Sequence, residues 1–104
     1  MSSENPRMTG PTLKVLGELL QQPLKELSGA DVAKSTSLAS GTLYPILMRL
    51  EAAKWVTSSW EEVDPTEVKR PRRRLYRLTG LGERNAKLAF QEISPAWGSL
   101  AWNL

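Results

Sequence analysis

The sequence predicts a mainly α-helical domain with one small β-hairpin, and three observations predict it. Apolar residues recur at helical spacing in three successive segments before residue 54, each bounded by turn-forming residues. Two short runs rich in β-branched and aromatic residues follow, over 55–60 and 74–78. Beyond them the apolar residues return to helical spacing. The expected order is helix, helix, helix, strand, strand, helix, helix, with no internal repeat. The expected divisions are a mobile arm over 1–8, a folded domain over 9–93 and a tail helix over 94–104.

The first helix is read from Pro11, which suits a first turn, through Leu13, Leu16, Leu19 and Leu20 to a stop at Pro23. The second begins where Ser28 can cap, Asp31 can answer it three residues on, and Leu27 can staple onto Val32. It is expected to end by Lys34, because the hydroxyls of Ser35, Thr36 and Ser37 compete for backbone groups, which places a turn over 36–39. The third helix carries the best periodic signal, with Leu43, Ile46, Leu47, Leu50 and Ala53 on one side. Pro45 is harmless if Thr42 is the cap and would kink a helix begun at Ser40, so a start near Thr42 is expected. The strands 55–60 and 74–78 make a hairpin around a mobile loop over 62–71, longer than an ordinary hairpin connection. Thr79 then caps a fourth helix bearing Ala86, Ala89, Phe90 and Ile93, and Ser94 and Pro95 open the tail helix.

At 104 residues the chain supports one core and has no room for a separate catalytic domain. The absence of cysteine and histidine argues against disulfides, thiolate chemistry, zinc sites and histidine general bases together. Nothing supplies a nucleophile with its base, a metal cluster or a phosphate loop, so an enzyme is the weakest reading and no cofactor is expected. The opening residues are polar and no apolar run is long enough to span a bilayer, which points to a soluble cytoplasmic protein without a membrane partner. The formal charge is only +3, but arginine is concentrated late in the chain. Such a distribution fits a polyanionic partner better than the total does.

Two short helices joined by a tight turn form a helix-turn-helix, and a hairpin after them adds a wing. The full expectation is therefore a winged helix-turn-helix with a three-helix core, a two-stranded wing and C-terminal helices, and double-stranded DNA is the partner it fits. On the outer side of the third helix lie Ser40, Thr42, Tyr44, Met48 and Arg49, with small groups at the N-terminal end that permit close approach to phosphate. Tyr44 has a second reading, in which it packs against the second helix instead.

In the wing, Lys69, Arg70, Pro71, Arg72, Arg73 and Arg74 form the densest charge in the chain, with Arg77 beyond. Arginine there suits a minor groove or flanking phosphates. The alternative is a solvated loop balanced by Glu61, Glu62, Asp64 and Glu67, whose spacing is not that of a calcium loop. The tail places Trp97 and Trp102 near Leu100, Ala101 and Leu104. With Phe90 and Ile93 these residues make a candidate homodimer surface, since indoles bury large areas at interfaces and DNA regulators often pair to read two half-sites. The other reading folds the tail back onto the same chain.

The run Gly41-Thr42-Leu43-Tyr44-Pro45-Ile46-Leu47-Met48-Arg49-Leu50-Glu51 resembles the recognition helix of the PadR-like family of winged-helix transcriptional regulators almost position for position. Residues 70–79, with Arg-Pro-Arg, then Tyr-Arg-Leu-Thr, and Gly82 beyond, resemble that family's wing strand and helix start. The resemblance covers roughly residues 13–88. It implies a homodimer on a palindromic operator, usually a repressor, with the third helix in the major groove and Tyr44, Arg49, Arg72 and Arg73 on DNA. Some members release DNA when a small aromatic compound binds near the dimer interface, which would make Trp97 and Trp102 the walls of an effector site. The chain departs from the family at Lys54 and Lys69, where glycine is usual. A left-handed conformation would cost Lys54 about 1 kcal/mol, so that turn is expected to be built differently, and Lys69 to remove a tight turn. The segment after Ile93 is short beside the family's dimerising helices.

Two other functional classes stay open on sequence. A winged helix can serve as a protein-interaction module whose arginines only keep it soluble, or as a DNA-architectural accessory factor of a mobile element.

Overall fold

The computed structural model describes residues 5–93. Its elements are α1 (Gly10–Gln21), β1 (Leu27–Ser28), α2 (Gly29–Thr36), α3 (Ser40–Ala52), β2 (Val56–Trp60), α4 (Pro65–Val68), β3 (Arg74–Leu78) and α5 (Gly80–Ile93). Three of these helices, α1, α2 and α3, pack on one another, and α5 closes over α1. The fold is the winged helix-turn-helix expected, mostly helical around a small antiparallel sheet.

Each helix boundary has a local cause. Thr9 caps α1 by accepting the Thr12 N–H at 3.3 Å, and Pro11 sits in the first turn, where its missing N–H costs nothing. The buried face of α1 is Thr12, Val15, Leu16, Leu19 and Leu20, so Val15 takes the place expected for Leu13, which is only partly buried. Met8, the last residue of the expected arm, also packs on the core. At α2 both halves of the capping box form: Asp31 N–H donates to Ser28 Oγ at 3.0 Å, and Ser28 N–H donates to Asp31 Oδ2 at 3.2 Å.

The helix α2 runs past Lys34 to Thr36, longer than expected. Thr36 does not compete with the helix, because its buried hydroxyl donates back to the Val32 carbonyl at 2.7 Å. The chain turns instead at Ser37, whose φ of 61° is left-handed. The helix α3 starts at Ser40, ahead of the Thr42 start expected, and carries Pro45 inside it. The N–H that proline lacks would have met the carbonyl of Gly41, which is an exposed residue.

The sheet has three strands in the order β1-β3-β2, one more than the two-stranded wing predicted. Its third strand, β1, is only two residues, Leu27 opposite Tyr76 and Ser28 opposite Leu75. Between β2 and β3, Val56 faces Leu78, Ser58 faces Tyr76 and Trp60 faces Arg74. One face of the hairpin therefore carries Val56, Ser58 and Trp60 with Arg74, Tyr76 and Leu78. Trp55 lies just before β2 and is buried in the core. The loop expected to be mobile holds α4, capped by Asp64, whose Oδ1 accepts the Thr66 N–H at 2.9 Å.

Both departures from glycine keep the left-handed turn. Lys54 has φ 67° and Lys69 φ 59°. At the end of α3, Trp55 N–H donates to the Leu50 carbonyl and Lys54 N–H to the Glu51 carbonyl, each at 2.9 Å, the paired bonds of a Schellman ending. The turns are thus not rebuilt, and lysine takes the strained conformation in each. Gly82 is required for another reason: a Cβ there would run into the backbone carbonyl of Trp55. That close approach lets Thr79 tie α5 to the base of the wing, its N–H donating to the Trp55 carbonyl at 2.9 Å and its hydroxyl to the Lys54 carbonyl at 2.7 Å.

Candidate nucleic-acid interface

The site is built on α3, whose inner residues Leu43, Ile46, Leu47 and Leu50 are anchored in the core. Their burial fixes the opposite side outward: Ser40, Gly41, Thr42, Pro45, Met48, Arg49 and Ala52 are all exposed. Four of the five residues predicted to meet DNA on this helix, Ser40, Thr42, Met48 and Arg49, lie on that open side.

The beginning of α3 differs from that of every other described helix. Side chains of Thr9, Ser28, Asp64 and Thr79 accept backbone N–H groups at the starts of α1, α2, α4 and α5. Ala39 cannot do so, and α3 alone among them has no side-chain cap. Its carbonyl takes the Thr42 and Leu43 N–H groups at 3.0 and 2.9 Å. The N–H groups of Ser40 and Gly41 have no acceptor among the described residues. Two outward N–H groups at the positive end of a helix dipole form a donor pair for an anion, and short side chains leave it open.

Tyr44 sits differently. Its ring covers Gly29 at the start of α2, so closely that a Cβ on Gly29 would overlap it. The packing alternative therefore holds for the ring, while the residue as a whole stays 40% exposed. Tyr44 and Glu51, seven residues apart on the same flank of α3, both act on Tyr76 of the sheet. Burial pushes the Tyr76 phenol above its ordinary value, Glu51 and Tyr44 add to the shift, and Arg74 opposes it.

The wing's arginines separate into two groups. Arg70 forms a bidentate pair with Glu61, Nη1 to Oε1 at 2.8 Å and Nη2 to Oε2 at 3.0 Å. Glu61 also accepts the Arg73 backbone N–H at 3.2 Å. The Arg70 hydrogen bonds, helped by that N–H and by the charges of Arg70 and Arg73, hold the Glu61 carboxyl at about 2, against an ordinary 4.5, despite an opposing desolvation effect. Glu61 is thus not the solvated residue expected, and Asp64 is the cap of α4. Arg72 Nε donates to the Val63 carbonyl at 2.9 Å and pins the loop.

Arg74 is part-buried and lies 4.9 Å over the Trp60 ring. Its Nε donates to Ser58 Oγ at 3.1 Å, and that hydroxyl donates to Glu51 of α3. Glu51, Ser58, Arg74 and Trp60 thus link the end of α3 to both strands of the wing. Of the four wing arginines predicted to bind DNA, only Arg73 is exposed with a side chain that makes no hydrogen bond or ion pair among the described residues. Exposed Lys69 and Arg77 flank it in sequence. The sequence carries a signal for the Trp60 and Arg74 contact only once the strands are in register, because the two residues are 14 positions apart and directly opposed.

On α5, Phe90 is buried in the chain's own core beside α1, its Cζ 3.5 Å from where a Cβ on Gly17 would stand. It is taken up inside the subunit and is not an open interface residue. Ile93 is 56% exposed, and Leu81 and Leu88 are exposed as well. Trp97, Leu100, Ala101 and Leu104, with Trp102, lie outside the described residues. Among the described residues no cluster of acidic side chains is placed to hold a metal ion, and no helix is long and apolar enough to cross a membrane.

Comparison with known proteins agrees with this geometry. No curated protein sequence matches the chain. Among solved structures, a PadR family transcription regulator from Clostridium difficile R20291 superposes with a TM-score of 0.64 at 25% identity, over 80% of this chain and 86% of that one. MepR of S. aureus, solved in complex with DNA, gives a TM-score of 0.64 at 25% identity, over 82% of this chain and 63% of MepR. AbfR in a disulfide-formed state gives 0.68 at 26% identity, over 85% of this chain and 59% of AbfR. The chain thus spans less than two thirds of the length of MepR and AbfR. Residues 15–88, well over half the chain, match the transcriptional regulator PadR-like family. The chain belongs to the PadR-like family of transcriptional regulators.

Proposed function

We propose that this regulator is a homodimeric repressor that binds a palindromic operator, with α3 of each subunit in the major groove and the wing beside it on the backbone. The observation that carries this reading is the uncapped start of α3 beside its open face. Ser40 and Gly41 offer N–H groups to a phosphate, Ser40 and Thr42 add hydroxyls, and Arg49 and Met48 reach toward base edges. The likeness to MepR, solved on DNA, supports a duplex as the partner. Arg73 supplies a wing charge for phosphate, with Lys69 and Arg77 beside it, while Arg70, Arg72 and Arg74 hold the wing's shape. Pairing uses exposed Ile93 with Leu81 and Leu88 on α5, extended by Trp97, Leu100, Ala101 and Leu104. Repression follows from occupancy, since a protein seated on the operator excludes other proteins from that stretch of duplex.

Selection of bound duplexes from a random pool, with the mass of the complex measured in parallel, tests the reading. The expected result is one enriched sequence with two-fold symmetry, two chains per site, and reduced transcription from a promoter containing it. Equal affinity for all duplexes would overturn it.

A further inference from the structure

The outermost line of α3 is apolar, although the helix is proposed to read polar base edges. Gly41, Pro45, Met48 and Ala52 fall at i, i+4, i+7 and i+11, along one stripe opposite the buried Leu43, Leu47 and Leu50. Met48 is 69% exposed, among the most exposed large apolar side chains described. At Gly41 the space a Cβ would occupy is open, so no described residue covers the start of the stripe. None of the four side chains has a hydrogen-bond donor, and the Met48 sulfur is only a weak acceptor. The polar residues Ser40, Thr42 and Arg49 sit to either side of this line.

A helix that enters the groove with this stripe leading brings carbon to the base edges at its centre. Four base-edge patterns face a major groove, and only one of them contains an apolar group, the C5-methyl of thymine. Opposite any other base, Met48 and Pro45 would strip water from donors and acceptors and return no hydrogen bond. Building on the DNA-binding reading above, we infer that Met48 and Pro45 recognise thymine 5-methyl groups. Each half-site then carries one or two thymines under the middle of α3, flanked by positions set by Arg49 and by phosphate contacts at Ser40 and Gly41.

The test uses the full chain and the operator enriched from the random pool. Each thymine of a half-site is replaced in turn by deoxyuridine, which keeps every hydrogen-bonding group and removes only the methyl. At one or two central positions affinity should fall by about fourfold per methyl, the value expected for removing one buried carbon from contact. Because Met48 is exposed, Met48→Ala should fold as the parent does, which thermal melting checks. Met48→Ala should bind the thymine operator more weakly and lose most of the thymine-to-uracil difference, and Met48→Leu should restore that difference. Undiminished affinity for every uracil-substituted operator would overturn the inference while leaving sequence-specific binding intact. So would a Met48→Ala variant that keeps the full thymine-to-uracil difference. A parent chain that binds all duplexes alike would overturn the DNA-reading function itself, and this inference with it.

Discussion

The helix α3 and the wing look alike in sequence, each a dense cluster of candidate DNA contacts, but the fold treats them oppositely. On α3 the side chains predicted to face outward do so, except Tyr44, whose ring is held on Gly29. In the wing most of the arginines are already engaged: Arg70 by Glu61, Arg72 by the Val63 carbonyl, Arg74 by Ser58 and Trp60. A helix anchored by four core residues exposes its other side whatever the sequence there, because the 3.6-residue period leaves no choice. A hairpin loop rich in both signs of charge can satisfy itself first, and here it does. Charge density in a loop therefore overstates the charge left for a partner, and what remains on the wing is centred on Arg73.

That contrast can be broken or sharpened by substitution. The largest effect is expected at Arg49. Arg49→Ala should cost about 2 kcal/mol of operator binding and relax discrimination at the base positions it faces, as measured by titration against single-base variants of the site. A smaller loss is expected from Ser58→Ala, which alters no charge but cuts the link between Glu51 and Arg74. It should weaken operator binding by about 1 kcal/mol. Arg74→Lys should behave like it, since lysine keeps the charge but has neither the Nε donor nor the planar stack. If Arg74 touched phosphate directly, Ser58→Ala would leave affinity unchanged and Arg74→Lys would retain it.

The two left-handed lysines make a matched pair. Lys54→Gly should raise stability by roughly 0.5–1 kcal/mol, seen as a higher melting temperature with operator affinity unchanged. Lys69→Gly should relieve similar strain but also remove an exposed wing charge, so it alone should lower the dependence of binding on salt. Smallest of all is the pH effect of the Arg70 and Glu61 pair. The folded value of Glu61 lies below the unfolded one, so the pair's contribution is complete above the unfolded carboxylate range and is lost as pH falls toward about 2. Carbon-detected titration of the Glu61 carboxyl should give a midpoint near 2. A midpoint near the ordinary 4.5 would mean that the wing is not locked.

The parts of this fold legible in the sequence are those whose cause is local. Ser28 and Asp31 announce the start of α2 because a capping box needs only residues three apart, and the core face of α3 follows from spacing alone. The missed features depend on something distant. Two residues cannot show the period of a strand, so β1 exists only through its pairing with Tyr76 and Leu75. The early start of α3 depends on the exposure of Gly41, which makes Pro45 tolerable, and the length of α2 on where the Thr36 hydroxyl turns. In the site, the residues of α3 could be chosen from the helical period. The links of Arg70 to Glu61 and of Arg74 to Ser58 join residues 9 and 16 apart and depend on hairpin register. The uncapped start of α3 was visible as an alanine at 39 once the helix start was known.

Whether α3 reads sequence while the wing only grips is tested most directly by a specificity ratio. Affinity for the selected operator and for a scrambled duplex is measured at several salt concentrations for the parent, Arg49→Ala and Arg73→Gln. Arg49→Ala should collapse the ratio. Arg73→Gln should weaken both duplexes alike and lower the slope of log affinity against log salt by about 0.9, the loss of one phosphate contact. A ratio that survives Arg49→Ala and collapses with Arg73→Gln would place recognition in the wing and contradict the account.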